Sequence, residues 1–388
     1  MSNKAIELFK KSYPNEEPIL MKSHGRLEII GNHTDHNHGL CLVAGASMGI
    51  SCAFLPNEGD KITLSSEGYP DIKIRINDLK KRKSELGKSI GLVRGVLFKM
   101  QELGYKIGGF HGAMDSDIFP GAGVSSSACY ESLIVGIVSH LYNEDRVSSL
   151  DMAKIGQFSE REYFGKPCGL LDQVGTSFGG IDFLDFSSLD EPTIEPMKWN
   201  FPLSIVLINS GGSHAKLTPL YASIPADMFA VANHFGKEYL RLVDEEEFYA
   251  SESKIKEDKS LSRLARKRAE HFFEENKRVL KARDAVKSND VEAFLSLIKE
   301  SQESSCEKLR NTMVPGHYEG SPQKAVDVAN AFIGKGACRI MGGGFAGSII
   351  AFVYPEDKEY FMAAMRHYYG DGSVVEVHIP DGGPSLGE

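Results

Sequence analysis

Residues 25–39 read GRLEIIGNHTDHNHG. A β-type run, RLEII, stops at Gly31, and His33, His36 and His38 then crowd around Asp35. Such a cluster invites a metal ion. Metal sites draw three or four convergent ligands, however, and an H-x-x-H-x-H run between two glycines has no second ligand cluster to meet. If the stretch is extended, His33, Asp35 and Asn37 point to one side and His36 and His38 to the other. A single chelating face is then impossible.

Around this stretch, short β-like segments fill the first third of the chain: RLEII, LCLVAGASMGISCAFL, KITLSS and IKIRI, separated by turn residues. SIGLVRGVLFKMQELGY carries Ile90, Val93, Val96, Leu97 and Met100 at helical spacing and loses the period at Gly104, which predicts a core-packed helix. From Ser125, SSSACYESLIVGIVSHLY sets Tyr130, Leu133, Ile134, Ile137, Val138 and Leu141 on one stripe, a buried helix leaving a tight loop. FPLSIVLINS has the short apolar run of an interior strand. It follows the acidic, proline-containing DFSSLDEPTIEP, which places a domain boundary near residue 195. Between Ser260 and Ser305, Leu261, Leu264, Phe272, Val279, Ala282 and Val286 recur at helical intervals; SND interrupts them and VEAFLSLIKES resumes, predicting a helical hairpin. The charges of RLARKRAEHFFEENKR fit its solvated face.

A chain of 388 residues exceeds the size at which one core keeps growing, so two domains are expected, 1–195 and 196–388. Hydrophobic residues make up 41% and charged residues 25%, the balance of a globular rather than a disordered chain. The net charge of −9 argues against a nucleic-acid partner, which needs clustered Lys and Arg. Cys41, Cys52, Cys129, Cys168, Cys306 and Cys338 lie scattered without CxxC spacing, as reduced thiols in the cytoplasm would. The opening residues carry no apolar leader, and no apolar run reaches the roughly 18 residues of a membrane span.

PGAGVSSSA, Pro120 to Ala128, asks for a phosphate. Gly121 and Gly123 permit backbone conformations closed to other residues, so successive N–H groups can converge on an anion at a helix start. The loop lacks the Gly-Lys-Ser/Thr of a Walker A motif and the third glycine of the dinucleotide fingerprint, and taken alone it reads equally as a plain loop or a helix cap. In RIMGGGFAGSIIAFV, Gly342, Gly343, Gly344 and Gly347 precede a β-type run, fitting either a close backbone approach or a tight turn into a strand.

Together, GRLEIIGNHTDHNHG, PGAGVSSSA and GACRIMGGGFAG, in this order, resemble the three motifs of the galactokinase branch of the GHMP small-molecule kinases. SEREYFGKPCGLLDQ is similar to the family's stretch carrying a metal ligand and the catalytic aspartate, and AEHFFEENKRV and NSGGSHAKLTPLY also fall where galactokinases carry like segments. The resemblance runs from about Phe9 to the end. It implies an α/β (α+β) fold of two domains, the N-terminal one like ribosomal protein S5 domain 2 and the C-terminal one ferredoxin-like, with the site between them. It also implies ATP-dependent phosphorylation of the C1 hydroxyl of galactose.

The resemblance assigns the phosphate cradle to the loop Gly121, Ala122, Gly123, Val124, Ser125, Ser126 and Ser127. It gives Mg²⁺ to Ser127 and Glu160, suiting an ion that usually takes one or two protein oxygens. Asp172 matches the catalytic aspartate and Arg26 the arginine beside it, whose charge would keep the carboxylate ionised. The sugar falls to Asn32, His33, Asp35, Gly169 and Tyr221. In this family the first motif is a sugar clamp that binds no metal. The implied partners are the sugar and ATP, and a monomer is expected.

Several positions depart from the family pattern. Asn32 stands where galactokinases carry a glutamate that contacts the C6 hydroxyl, so a C6 carboxylate such as that of galacturonate would be tolerated there. His36 replaces a tyrosine and His38 a glycine; His24 and Glu28 replace the proline and asparagine flanking the motif's arginine. The loop's proline sits one place late, and SIPAD follows Tyr221 where arginines are expected. Arg26, Ser127, Glu160 and Asp172 are all retained, which favours a kinase over a non-catalytic galactose and ATP sensor on the same fold.

Overall fold

The computed structural model describes residues 3–212 and 217–387; residues 213–216, inside NSGGSHAKLTPLY, lie outside them. The chain runs α1 (Asn3–Ser12), β1 (Ile19–Ile30), β2 (Leu40–Pro56), β3 (Lys61–Ser66), β4 (Tyr69–Arg75), α2 (Ser89–Glu102), β5 (Phe110–Ser116), α3 (Ser126–Asn143), α4 (Ser149–Phe158), α5 (Leu171–Phe178), β6 (Ile181–Asp185) and β7 (Thr193–Met197). It continues as β8 (Ser204–Asn209), α6 (Thr218–His234), α7 (Glu245–Ala250), α8 (Glu252–Glu257), α9 (Ala265–Ser288), α10 (Val291–Ser304), α11 (Pro322–Asn330), β9 (Ala337–Ile340), β10 (Ser348–Val353), α12 (Pro355–Tyr369), β11 (Val374–Val377) and β12 (Ser385–Leu386).

The 17-residue β2 organises the first sheet. It pairs with β1 along most of its length, with β6 through Leu40–Ala44 and with β5 through Ile50–Pro56, giving the order β12-β1-β2-β5-β3-β4 with β6 and β7 branching from β2. Buried on both faces, it reads as the near-continuous apolar run that marked it. Helices α2 and α3 pack Val93, Val96, Leu97, Leu133, Ile134, Ile137 and Val138 against Phe54, Ile62 and Phe110. The acidic stretch expected to join domains carries β7, an edge strand on β6; Pro196 is tolerated there because an edge strand need not donate on both sides.

The second sheet has the order β11-β8-β10-β9, all antiparallel, the 4-1-3-2 arrangement of a ferredoxin-like βαββαβ unit. Alternation along β8 sends Val206 and Ile208 to a core with Phe361 and Met365 of α12. Ile205 and Leu207 enter a core that also holds Leu27 and Ile29 of β1, Val279 of α9 and Phe294 of α10. That shared core joins the two sheets, and each large apolar side chain fully buried there contributes about 1.5–3 kcal/mol. The helical hairpin breaks at Asn289, whose φ of 56° ends α9, and the Asp290 side chain caps α10 by accepting from the Ala293 amide at 3.0 Å.

Residues 31–39 are not extended. A turn leads into a 3₁₀ turn at Asp35–Asn37, flanked by left-handed His33 (φ 59°) and His38 (φ 62°). The strand alternation expected for His33, Asp35 and Asn37 therefore does not hold. Among the described residues, no group of three or more His, Cys, Asp or Glu side chains is placed to hold a metal ion.

Candidate active site

Arg26, on β1, sits where the three motifs meet. Gly25 lets them close up: a Cβ there would lie 2.7 Å from the Val124 carbonyl oxygen, and the Arg26 amide donates to that same oxygen at 2.9 Å. Several of the loop's carbonyls are held from behind. Asn209 donates to Pro120 O at 2.8 Å, Ser348 to Gly121 O at 2.7 Å, and the Arg26 guanidinium to Gly123 O. Gly121, Gly123 and Ser125 take φ of 78°, 72° and 55°. Within Gly121 to Ser125 only the Ala122 amide donates to a described acceptor, Phe119 O at 3.1 Å. Pinned carbonyls and unspent amides at the start of α3 make an anion cradle. Ser126 and Ser127 open that helix.

Asp172, in the first turn of α5, reaches this loop. Its Oδ1 accepts from Arg26 Nε at 2.8 Å and Nη2 at 2.7 Å, and its Oδ2 accepts from Ser125 Oγ at 2.8 Å. Burial alone would raise its pKa; the charges of Arg26 and Lys166 and the Ser125 hydroxyl outweigh it and hold the carboxyl below the usual range. The side chain keeps 24% of its surface, so the ionised group remains open to a substrate.

Glu160 lies on a π-helical turn, Ser159–Phe164, that continues α4. Its buried Oε1 accepts from both Ser127 Oγ and Lys166 Nζ at 2.8 Å, and its Oε2 from Gln173 Nε2 at 2.7 Å. Behind it, burial and the Glu160 charge raise Glu131 well above the ordinary carboxyl range. Burial opposes the charge on Lys166, but Glu160 and Asp172 outweigh it and raise its pKa.

Asp35 packs its carboxylate against the α-carbon of Gly169. Burial, then the charges of Asp172 and Glu28, push it up to about 7. His33 spends both ring nitrogens on protein: Nε2 meets Gly343 O at 3.1 Å and Nδ1 meets His36 Nε2 at 3.3 Å, while Asn37 Nδ2 meets His36 Nδ1 at 3.0 Å. A carbonyl only accepts and an amide NH₂ only donates, which assigns Nε2–H to both rings. Burial lowers both histidines' pKa values, keeping them neutral. Tyr221 donates to Gly344 O at 3.0 Å and lies edge-on to Phe345.

Asn32, expected to contact the sugar, has its side chain engaged by protein groups. It is 1% exposed; its Nδ2 donates to Glu28 Oε1 at 2.8 Å and Gly342 O at 2.7 Å, and its Oδ1 accepts from Asn311 Nδ2 at 2.8 Å. Every amide hydrogen is spent, so the side chain braces the glycine loop instead. The motif pattern missed Lys166, although it lies between Glu160 and Asp172 in sequence. It also missed Asn311, which nothing local marks.

Residues 91–180 match the family model described as GHMP kinases N terminal domain, and residues 7–56 the one described as galactokinase galactose-binding signature. Fold and site thus define a GHMP-type kinase. A galactokinase of Glaesserella parasuis is 33% identical over 89% of this chain and 88% of its own length, and one of Pyrococcus furiosus 31% over 90% and 93%. The crystal structure of Lactococcus lactis galactokinase complexed with galactose superposes with a TM-score of 0.84 at 25% identity, covering 99% of this chain and 100% of that one. The chain belongs to the galactokinase family.

Proposed function

We propose that this protein transfers the γ-phosphoryl group of ATP to the C1 hydroxyl of galactose. The observation that carries the reading is the Asp172 carboxylate, gripped by Arg26 and tied through Ser125 to the loop of unspent amides. Phosphoryl transfer needs positioning and charge neutralisation more than covalent help. On this reading Asp172 accepts the acceptor hydroxyl's proton, Arg26 keeps it ionised and faces the developing charge, and the amides from Gly121 to Ser125 hold the phosphates.

Ser127 and Glu160 offer two hard oxygens 2.8 Å apart, and the Lys166 ammonium already rests on that Glu160 oxygen, a fit to a cation. We assign Mg²⁺ to this pair; when bound with the nucleotide it supplies further neutralisation of phosphate charge. Asp35, the Gly169 amide and Tyr221 take the sugar, while His33 and Asn32 hold Gly343 and Gly342 in place behind it. With Asn32 spent on that bracing, galacturonate has no feature at position 32 to favour it. A monomer is the oligomeric state we propose, since none of these roles calls for a group from a second copy. The division into two domains falls, on this reading, between Met197 and Ser204. The free cysteines support a cytoplasmic setting, and no helix among the described residues is long and apolar enough to cross a membrane.

A coupled ADP-release assay with galactose, with identification of the 1-phosphate, tests the proposal. Turnover with galactose supports it; intact binding of galactose and ATP without turnover overturns it in favour of a sensor.

A further inference from the structure

We infer that Glu28 is the specificity-determining residue for the end of the sugar remote from C1, accepting from its hydroxymethyl group and turning away a carboxylate; this rests on the sugar-kinase reading above. Glu28 is 6% exposed. Its Oε1 is occupied, accepting from Asn32 Nδ2 at 2.8 Å and Arg339 Nη2 at 3.2 Å. Its Oε2 has no hydrogen-bond partner among the described residues, yet it is not sealed from solvent. A buried carboxylate with one oxygen anchored and one open is built to receive a donor.

Its position fits. Arg26 and Glu28 alternate onto one face of β1, opposite Leu27 and Ile29, which enter the core. Two residues along a strand span about 6.6 Å. With Arg26 holding Asp172 at the C1 end, the open Glu28 oxygen lies roughly that far along the same face, across the width of a pyranose ring. The Glu28 charge acts on His33 and on Asp35, as that placement requires. The fully buried Arg339 guanidinium balances it, also donating to the Glu28 and Ile29 carbonyls at 3.2 and 3.1 Å.

The sequence carries the same message. Glu28 on the strand and Asn32 on the following turn stand four residues apart, and Asn32 bonds to Glu28, so a carboxylate and an amide lie side by side. Asn32 therefore does not signal a lost acceptor. A C6 carboxylate brought against Glu28 meets like charge at short range, so a uronate is excluded.

The test uses the full chain, ATP, galactose, 6-deoxygalactose and galacturonate. The wild-type protein should lose at least about tenfold in kcat/KM on removal of the C6 hydroxyl, the scale of one hydrogen bond to a buried charge. Glu28→Gln should raise the galactose KM about tenfold, leave the ATP KM unchanged, treat 6-deoxygalactose and galactose alike, and relax the exclusion of galacturonate. A Glu28→Gln protein with wild-type galactose KM, or one that still penalises 6-deoxygalactose as the wild type does, overturns the assignment. Should Glu28→Gln fail to fold, the double variant Glu28→Asn/Asn32→Glu decides: a galactose KM restored to near wild type relative to Glu28→Asn supports it, and no restoration overturns it. Absence of any galactose turnover by the wild type sinks the kinase reading itself, whereas wild-type turnover beside an indifferent Glu28→Gln sinks only this assignment.

Discussion

Asp35 leans on Gly169 so closely that a Cβ at position 169 would lie 1.7 Å from its Oδ2. The glycine is needed for the space its missing side chain leaves, since its own φ is unexceptional. Gly169→Ala should push the carboxylate out of line and raise the galactose KM at least tenfold, about 1.4 kcal/mol or more, with the ATP KM unchanged. Steady-state kinetics varying each substrate in turn checks this; equal loss for both substrates would show general damage instead.

Arg26 is expected to set the acid limb of the rate profile. Burial raises the Asp172 pKa and Arg26 is the first of the groups that bring it back down. In Arg26→Gln the burial effect should prevail, so log kcat begins to fall at a higher pH than in the wild type, and kcat itself drops about 10²–10³-fold. A pH–kcat series on both proteins measures the displacement.

Asp35 has the opposite sign. Its folded pKa, pushed up to about 7, lies above the ordinary aspartate value of about 4, so between those values the folded protein holds the extra proton. Stability from this group is therefore lost as pH rises from about 4 through about 7, and Asp35→Asn should flatten the decline in Tm of the free protein over that range. As a sugar acceptor the group must be ionised, so the galactose KM should climb as pH falls below about 7.

Gly344 is held at φ 78°, with a notional Cβ only 2.2 Å from the Asn311 carbonyl oxygen. Gly344→Ala should destabilise the protein by about 2 kcal/mol or more, through both the left-handed backbone and the forced retreat of Asn311. Urea unfolding with an unchanged m-value would report it.

The elements with strong local periodicity were legible. The stripe from Tyr130 to Leu141 gave α3, and KITLSS coincides with β3, because each carries its own burial pattern within one element. β1 extends back to Ile19, beyond RLEII, since ILMKSH pairs with distant β2 residues such as Cys52 and Ser51 rather than advertising itself by alternation. The extended reading of residues 33–37 failed because His33 and His38 take left-handed conformations, fixed by contacts with Gly343 and the following turn. Arg26 and Asp172 could be named from motif positions, but the roles of Glu28 and Asn32 depend on Arg339, Asn311 and Gly342, some 280 to 310 residues away.

The short strand Ser385–Leu386 lies against Met21 and Lys22 of β1, on the edge opposite β2. During synthesis the Met21–Lys22 stretch of that edge consequently stays uncovered until residue 386 has left the ribosome. Until then β1 offers unpaired amides and carbonyls to any neighbouring chain, so deletion of residues 381–388 should yield a folded protein prone to edge-to-edge association.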